Sequence, residues 1–144
     1  MQSDEKIQLS MKPYVESHSE MNLTNAVPDK NVKLTPDDVR YLKQVSGQIN
    51  WAVTQCRPDL AYENCYIGNC TKSANVADLH YANKVIRRLK SRDVSLSFYS
   101  DFDLSWCCLV SFCDASFASL PNAGSQGAYF TVLVDKSGTY SPIL

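Results

Sequence analysis

The sequence predicts an α+β chain in which helices come first and strands follow, on three observations. Apolar residues recur at spacings of three and four over positions 42–56 and again over 76–89, the mark of helices with one buried stripe. After Asp93 the spacing drops to two, with Val94, Leu96 and Phe98 alternating against Ser95, Ser97 and Tyr99, as in a half-buried strand. A longer apolar run, 106–113, follows, and 127–134 is rich in Tyr, Phe, Thr and Val, which favour a pleated surface.

Composition bounds what such a chain can do. With 144 residues, 44% of them hydrophobic, it can bury one ordinary core or two partial ones. Fourteen Lys and Arg against fifteen Asp and Glu give a net charge of −1. An overall cationic field is excluded, so any affinity for nucleic acid has to be local. The six cysteines contain no C-x-x-C pair, and His18 and His80 are far apart, which argues against a structural zinc site. No basic patch followed by an apolar run marks a secretory signal, and no stretch approaches the roughly 18 apolar residues of a membrane span. An intracellular chain, cytoplasmic or nuclear, with free thiols and no membrane partner is expected.

Residues 1–34 mix Ser, Glu, Lys and Asn with isolated apolar residues and keep no period. A linker is expected there, with at most one helical turn at 11–17 whose Tyr14 and Val15 would pack on something outside the chain. Thr35-Pro36-Asp37-Asp38 then opens a helix: a capping hydroxyl, proline at the first helical position, and acids facing the positive end of the helix dipole. Leu42, Val45, Ile49, Ala52, Val53 and Cys56 form its stripe, and it must stop before Pro58. A weaker helix covers about 59–70, with Leu60, Ala61, Cys65 and Ile67 on its buried side. The third, capped by Ser73 or Asn75, buries Val76, Leu79, Ala82, Val85, Ile86 and Leu89. Residues 101–105 turn the chain from the first strand into the 106–113 run, which ends at Asp114. Asp135-Lys136-Ser137-Gly138 is a turn into a last strand from Thr139. A chain that stops inside a strand leaves an open sheet edge, so truncation of a larger domain is expected.

Two places can carry chemistry. Asp114, just past an apolar strand and followed by Ala115 and Ser116, could bind a hard cation through oxygen at a sheet's end. Aspartate also ends strands because it favours turns, and a two-metal nuclease needs several converging carboxylates. Asp101, Asp103, Asp135 and Glu63 supply no evident companion, since pairing Asp114 with Gly127 leaves Asp135 on the order of 26 Å away. The second place is Lys84, Arg87, Arg88, Lys90 and Arg92, of which Lys84, Arg87 and Arg88 share a helical face opposite Ile86 and Leu89. Such a face can track phosphates, or it can be a solvated surface whose last turn complements the dipole. The cysteines have no evident base, and no glycine-rich phosphate loop is present.

The order of the motifs adds to this reading. Tyr41-Leu42-Lys43-Gln44-Val45-Ser46-Gly47-Gln48-Ile49-Asn50-Trp51, then Thr54-Gln55-Cys56-Arg57-Pro58-Asp59-Leu60-Ala61, resembles the segment after the reverse-transcriptase palm in copia-type retrotransposon Pol polyproteins. Ala82-Asn83-Lys84-Val85-Ile86-Arg87-Arg88-Leu89-Lys90 resembles the family's A-x-x-V-L-R-Y-L-K helix, and Cys113-Asp114-Ala115-Ser116-Phe117-Ala118 resembles the opening D-A-S-W/F-A strand of its ribonuclease H domain. The resemblance covers about residues 35–144.

It implies that 1–34 is a linker or the tail of the polymerase palm. Residues 35–93 would be the thumb- or connection-like C-terminal segment of the reverse transcriptase. Residues 94–144 would hold the first strands of an incomplete ribonuclease H-like mixed sheet. It further implies that Asp114 is the first Mg²⁺-binding catalytic aspartate, and that Lys84, Arg87, Arg88 and Lys90 lie near an RNA–DNA hybrid or template–primer. The other partner it implies is the remainder of the polyprotein. The polymerase's Y-x-D-D aspartates and the remaining ribonuclease H carboxylates are missing between Met1 and Leu144. The chain alone is therefore expected to be inactive and to hold no Mg²⁺ stably. The alternative is a remnant without catalysis that binds nucleic acid or a polymerase.

Overall fold

The structure, a computed structural model, describes residues 6–21, 29–120 and 123–143. The chain divides into two compact units, one of residues 10–95 and one joining 6–9 to 96–143. In chain order the elements are β1 (Lys6–Ser10), α1 (Lys12–Glu16), α2 (Pro36–Gln55), a 3₁₀ turn (Pro58–Leu60), α3 (Ala61–Cys70), α4 (Val76–Ser91), β2 (Ser95–Tyr99), β3 (Cys107–Leu120), β4 (Gly124–Asp135) and β5 (Tyr140–Ile143). The predicted α+β class holds in this form, as helices with small sheets, β1-β2 and β3-β4-β5.

In the helical unit, α2 begins where its cap requires. Thr35 Oγ1 accepts the Asp38 N–H at 3.2 Å while its hydroxyl donates to Asp38 Oδ2 at 2.6 Å, which satisfies one orphan donor of the first turn. Asn75, not Ser73, caps α4: its Oδ1 accepts the Asp78 N–H at 3.1 Å and Asp78 Oδ2 accepts the Asn75 N–H at 2.8 Å, a reciprocal capping box. The predicted stripes meet in one core. Leu42, Val45, Ile49 and Ala52 of α2, Leu60 and Ile67, and Leu79, Ala82, Val85, Ile86 and Leu89 of α4 are at most 2% exposed.

Two expectations are corrected here. In α3, Ala61 and Cys65 are exposed, and the inward stripe is instead Glu63, Tyr66, Ile67 and Cys70. Polar residues occupy it because they find partners: Glu63 pairs with Arg88, and the Tyr66 ring packs edge-on against Tyr81 with centroids 5.1 Å apart. The residues from Tyr14 to Met21 pack on the helical unit, where no packing within the chain was expected. Val15 and Met21 are buried in the helical core, and the Tyr14 hydroxyl donates to the Gln48 carbonyl at 3.2 Å. What Tyr14 and Val15 pack on is this chain's own helices. Isolated anchors in a five-residue helix and an extended segment leave no period to read.

In the sheet unit, β3, β4 and β5 are antiparallel neighbours. The strand of the 106–113 run does not stop at Cys113: β3 runs on to Leu120, through an irregularity between Ser116 and Leu120 where Ala118 takes a positive φ of 54°. Asp114 is therefore a mid-strand residue, and its partner is Ala128, one position from the predicted Gly127. The register places Cys108, Val110, Phe112 and Asp114 on one face with Ala128, Phe130, Val132 and Val134. Among the described residues no helix is long and apolar enough to cross a membrane.

Candidate functional site

The basic cluster sits on the outer side of α4, fixed there by the burial of Val85, Ile86 and Leu89. Lys84, Arg87 and Lys90 are exposed and Arg88 is half-buried. The structure brings a carboxylate to each arginine. Arg87 Nη1 donates to Glu20 Oε2 at 2.7 Å, and Arg88 Nη1 donates to Glu63 Oε1 of α3. Lys84 and Lys90 make no ion pair among the described residues. The face thus presents two free ammonium groups and two guanidinium groups already matched.

Sequence reasoning missed the role of Arg57. It is 2% exposed, and its guanidinium has three duties at once. Nε and Nη2 donate to the two oxygens of Asp59 at 2.9 and 3.1 Å, a bidentate fork. Nη1 donates to the Leu89 and Arg92 carbonyls at 2.7 and 3.1 Å, which lie at the C-terminal end of α4, where carbonyls lack helical partners and a cation is favoured. Burial raises the Asp59 pKa, but the hydrogen bond and charge of Arg57, with Arg88 beyond, outweigh it and hold the carboxyl below its ordinary value. The signal was in the sequence as Arg57-Pro58-Asp59. Proline fixes a tight turn there, and an arginine two residues from an aspartate can close across it.

Asp114 is exposed on β3 between Phe112 and Ser116 of the same face. The hairpin carries Asp135 to the position opposite Cys107, seven residues along, so about 24 Å away. Asp135 has other work: it is 4% exposed and accepts from the N–H of Asp103, Ser137 and Thr139 and from the Ser137 hydroxyl. The Ser137 hydroxyl bond, against the opposing effect of burial and helped by those N–H groups, holds its pKa down. It is a turn-closing carboxylate. No cluster of three or more His, Cys, Asp or Glu side chains able to hold a metal occurs among the described residues. Asp114 as placed offers a cation one carboxylate.

The thiols are poor nucleophiles where they are shielded. Burial, then the charge of Asp78, pushes Cys70 up to about 11, and burial also raises Cys56 despite the nearby Arg57. A cavity of about 40 Å³ lies between α1 and the end of α4, lined by Met11, Val15, Arg57, Leu89 and Val94 among others. Small-molecule sites run to several hundred Å³, so it takes no nucleotide.

No family model matches the chain, and no curated protein or solved structure does so either.

Proposed function

We propose that this chain is part of a copia-type retrotransposon Pol polyprotein, running from the helical end of its reverse transcriptase into the first strands of its ribonuclease H domain, and that by itself it catalyses neither reaction. The observation that carries the reading is that the first two resembling motifs meet in space. Arg57 of the Arg57-Pro58-Asp59 turn holds the carbonyls of Leu89 and Arg92 at the end of α4. Residues that recur together in a motif are well explained by such mutual dependence, because a buried guanidinium needs every one of its partners. The third motif supports the reading through its placement of Asp114 in a long antiparallel strand. In the parent enzyme, Mg²⁺ held by Asp114 and further carboxylates would stabilise the charge that develops on the cleaved phosphodiester. A lone carboxylate at Asp114 supplies too few ligands to hold two ions.

The locus tests the origin directly. Sequencing the flanking DNA is expected to show Y-x-D-D polymerase coding sequence upstream and acidic residues of a ribonuclease H domain downstream. Flanks without any polymerase-derived sequence overturn the reading. Inactivity is tested by incubating the chain with a labelled RNA–DNA hybrid and Mg²⁺. The expected result is no cleavage, the same for the chain and its Asp114→Asn variant, and cleavage lost in Asp114→Asn overturns it.

The second reading, a remnant that binds nucleic acid, draws on the exposed Lys84, Arg87 and Lys90 along α4. Salt-dependent affinity for the hybrid, reduced by Lys84→Ala plus Arg87→Ala, is its required outcome.

A further inference from the structure

We propose that residues 12–21 form a strap that masks one cation of the α4 face, Arg87, with Glu20 held on it as an internal stand-in for a phosphate. The proposal rests on the reading of that face as one that meets a nucleic-acid backbone.

The strap runs antiparallel to the C-terminal half of α4. Lys12 lies beside Asp93 just past the helix end, at 3.9 Å; Glu20 meets Arg87; Met21 meets Asn83 near the helix middle. Asn83 and Arg87 are four residues apart, hence neighbours on one helix face, and they engage consecutive strap residues. The Asn83 contact is not a surface accident. Its side chain is buried, and its whole amide goes to one residue of the strap, Oδ1 accepting the Met21 N–H and Nδ2 donating to the Met21 carbonyl, both at 2.8 Å. With the Met21 side chain buried to 3% exposure and Val15 to 7%, the backbone on either side of Glu20 is anchored. Its carboxylate is thereby delivered to one donor edge of a guanidinium that stays 59% exposed beside it.

A carboxylate and a phosphate oxygen use the same donors of an arginine. While Glu20 occupies Arg87, an incoming backbone must displace it or leave that contact unmade. Arg88 is matched differently, by Glu63 within the packed helices, so the strap controls Arg87 alone.

The test is the affinity of the full chain for a fluorescent RNA–DNA hybrid over a salt series. Neutralising the mask in Glu20→Gln is expected to add one phosphate contact: binding tightens by roughly eightfold at about 0.1 M salt, and the log–log salt slope steepens by about one. Glu16→Gln removes an exposed charge of α1 that makes no ion pair among the described residues, so it is expected to change neither quantity. In an Arg87→Ala background, Glu20→Gln is expected to have no effect. Equal affinity of the chain and Glu20→Gln overturns the mask while leaving the cationic face standing, provided Lys84→Ala plus Arg87→Ala still weakens binding. An equal gain in Glu16→Gln overturns it as a general charge effect. Absence of binding in every variant overturns the face reading and the mask together.

Discussion

At the scale of the residue, Arg57 does most to hold the helical unit together. A buried guanidinium with four hydrogen bonds to three residues is stable only as a complete set. Arg57→Ala leaves the Asp59 carboxylate and two terminal carbonyls of α4 without a donor. A loss of about 3 kcal/mol is expected, read as a fall in the urea midpoint of the helical signal. Arg57→Lys recovers little, since an ammonium cannot span the fork. The same pair sets an acid dependence. Asp59 has a folded pKa below its ordinary value, so its contribution is complete above about pH 4 and is lost as pH falls through the lowered folded value. Asp59→Asn is expected to flatten that part of a stability–pH curve, and an unchanged acid limb would exclude the pair as its source.

At the scale of the element, legibility followed period and caps. The α2 and α4 stripes and the Thr35 cap were readable because each is a local rule repeated over several turns, and the core residues match them almost one for one. The α3 stripe was misread because Glu63 and Tyr66 face inward on account of partners on α4, Arg88 and Tyr81, which no local pattern contains. The strap was missed for a related reason: Asn83 and Met21 are 62 residues apart. In the site, Lys84, Arg87, Arg88 and Lys90 were found by spacing, but the carboxylates opposing two of them were not. The end of β3 was placed too early because Asp114 looks like a strand terminator; an exposed aspartate with free access to solvent is tolerated mid-strand. The α4 cap offers a clean check of a rule the sequence did contain. Asn75→Ala is expected to destabilise the helical unit by about 1 kcal/mol in a thermal melt. Asn75→Asp, which keeps the acceptor, should change it far less.

At the scale of the whole molecule, the two units are unequally built. The helical unit buries apolar side chains from every helix and from the strap. In β3–β5, by contrast, Leu109, Phe112, Tyr129 and Tyr140 are each more than 60% exposed, and Val132 is the apolar side chain that is buried among the described residues there. A three-stranded sheet needs an apolar face packed on something to be stable in its own right. Its hairpin hydrogen bonds alone contribute about 1 kcal/mol each against an ordering entropy of similar size per residue. Hydrogen exchange of the intact chain should therefore divide sharply: strong protection in α2 and α4, weak protection in β3, β4 and β5. The native chain should also bind a hydrophobic dye at the face that carries Phe112, Phe130 and Tyr140, and Phe112→Ser plus Phe130→Ser should remove most of that signal while leaving the helical melt unchanged. Protection in β3–β5 equal to that in α4 would mean that the sheet unit draws stability from contacts other than those of its own strands.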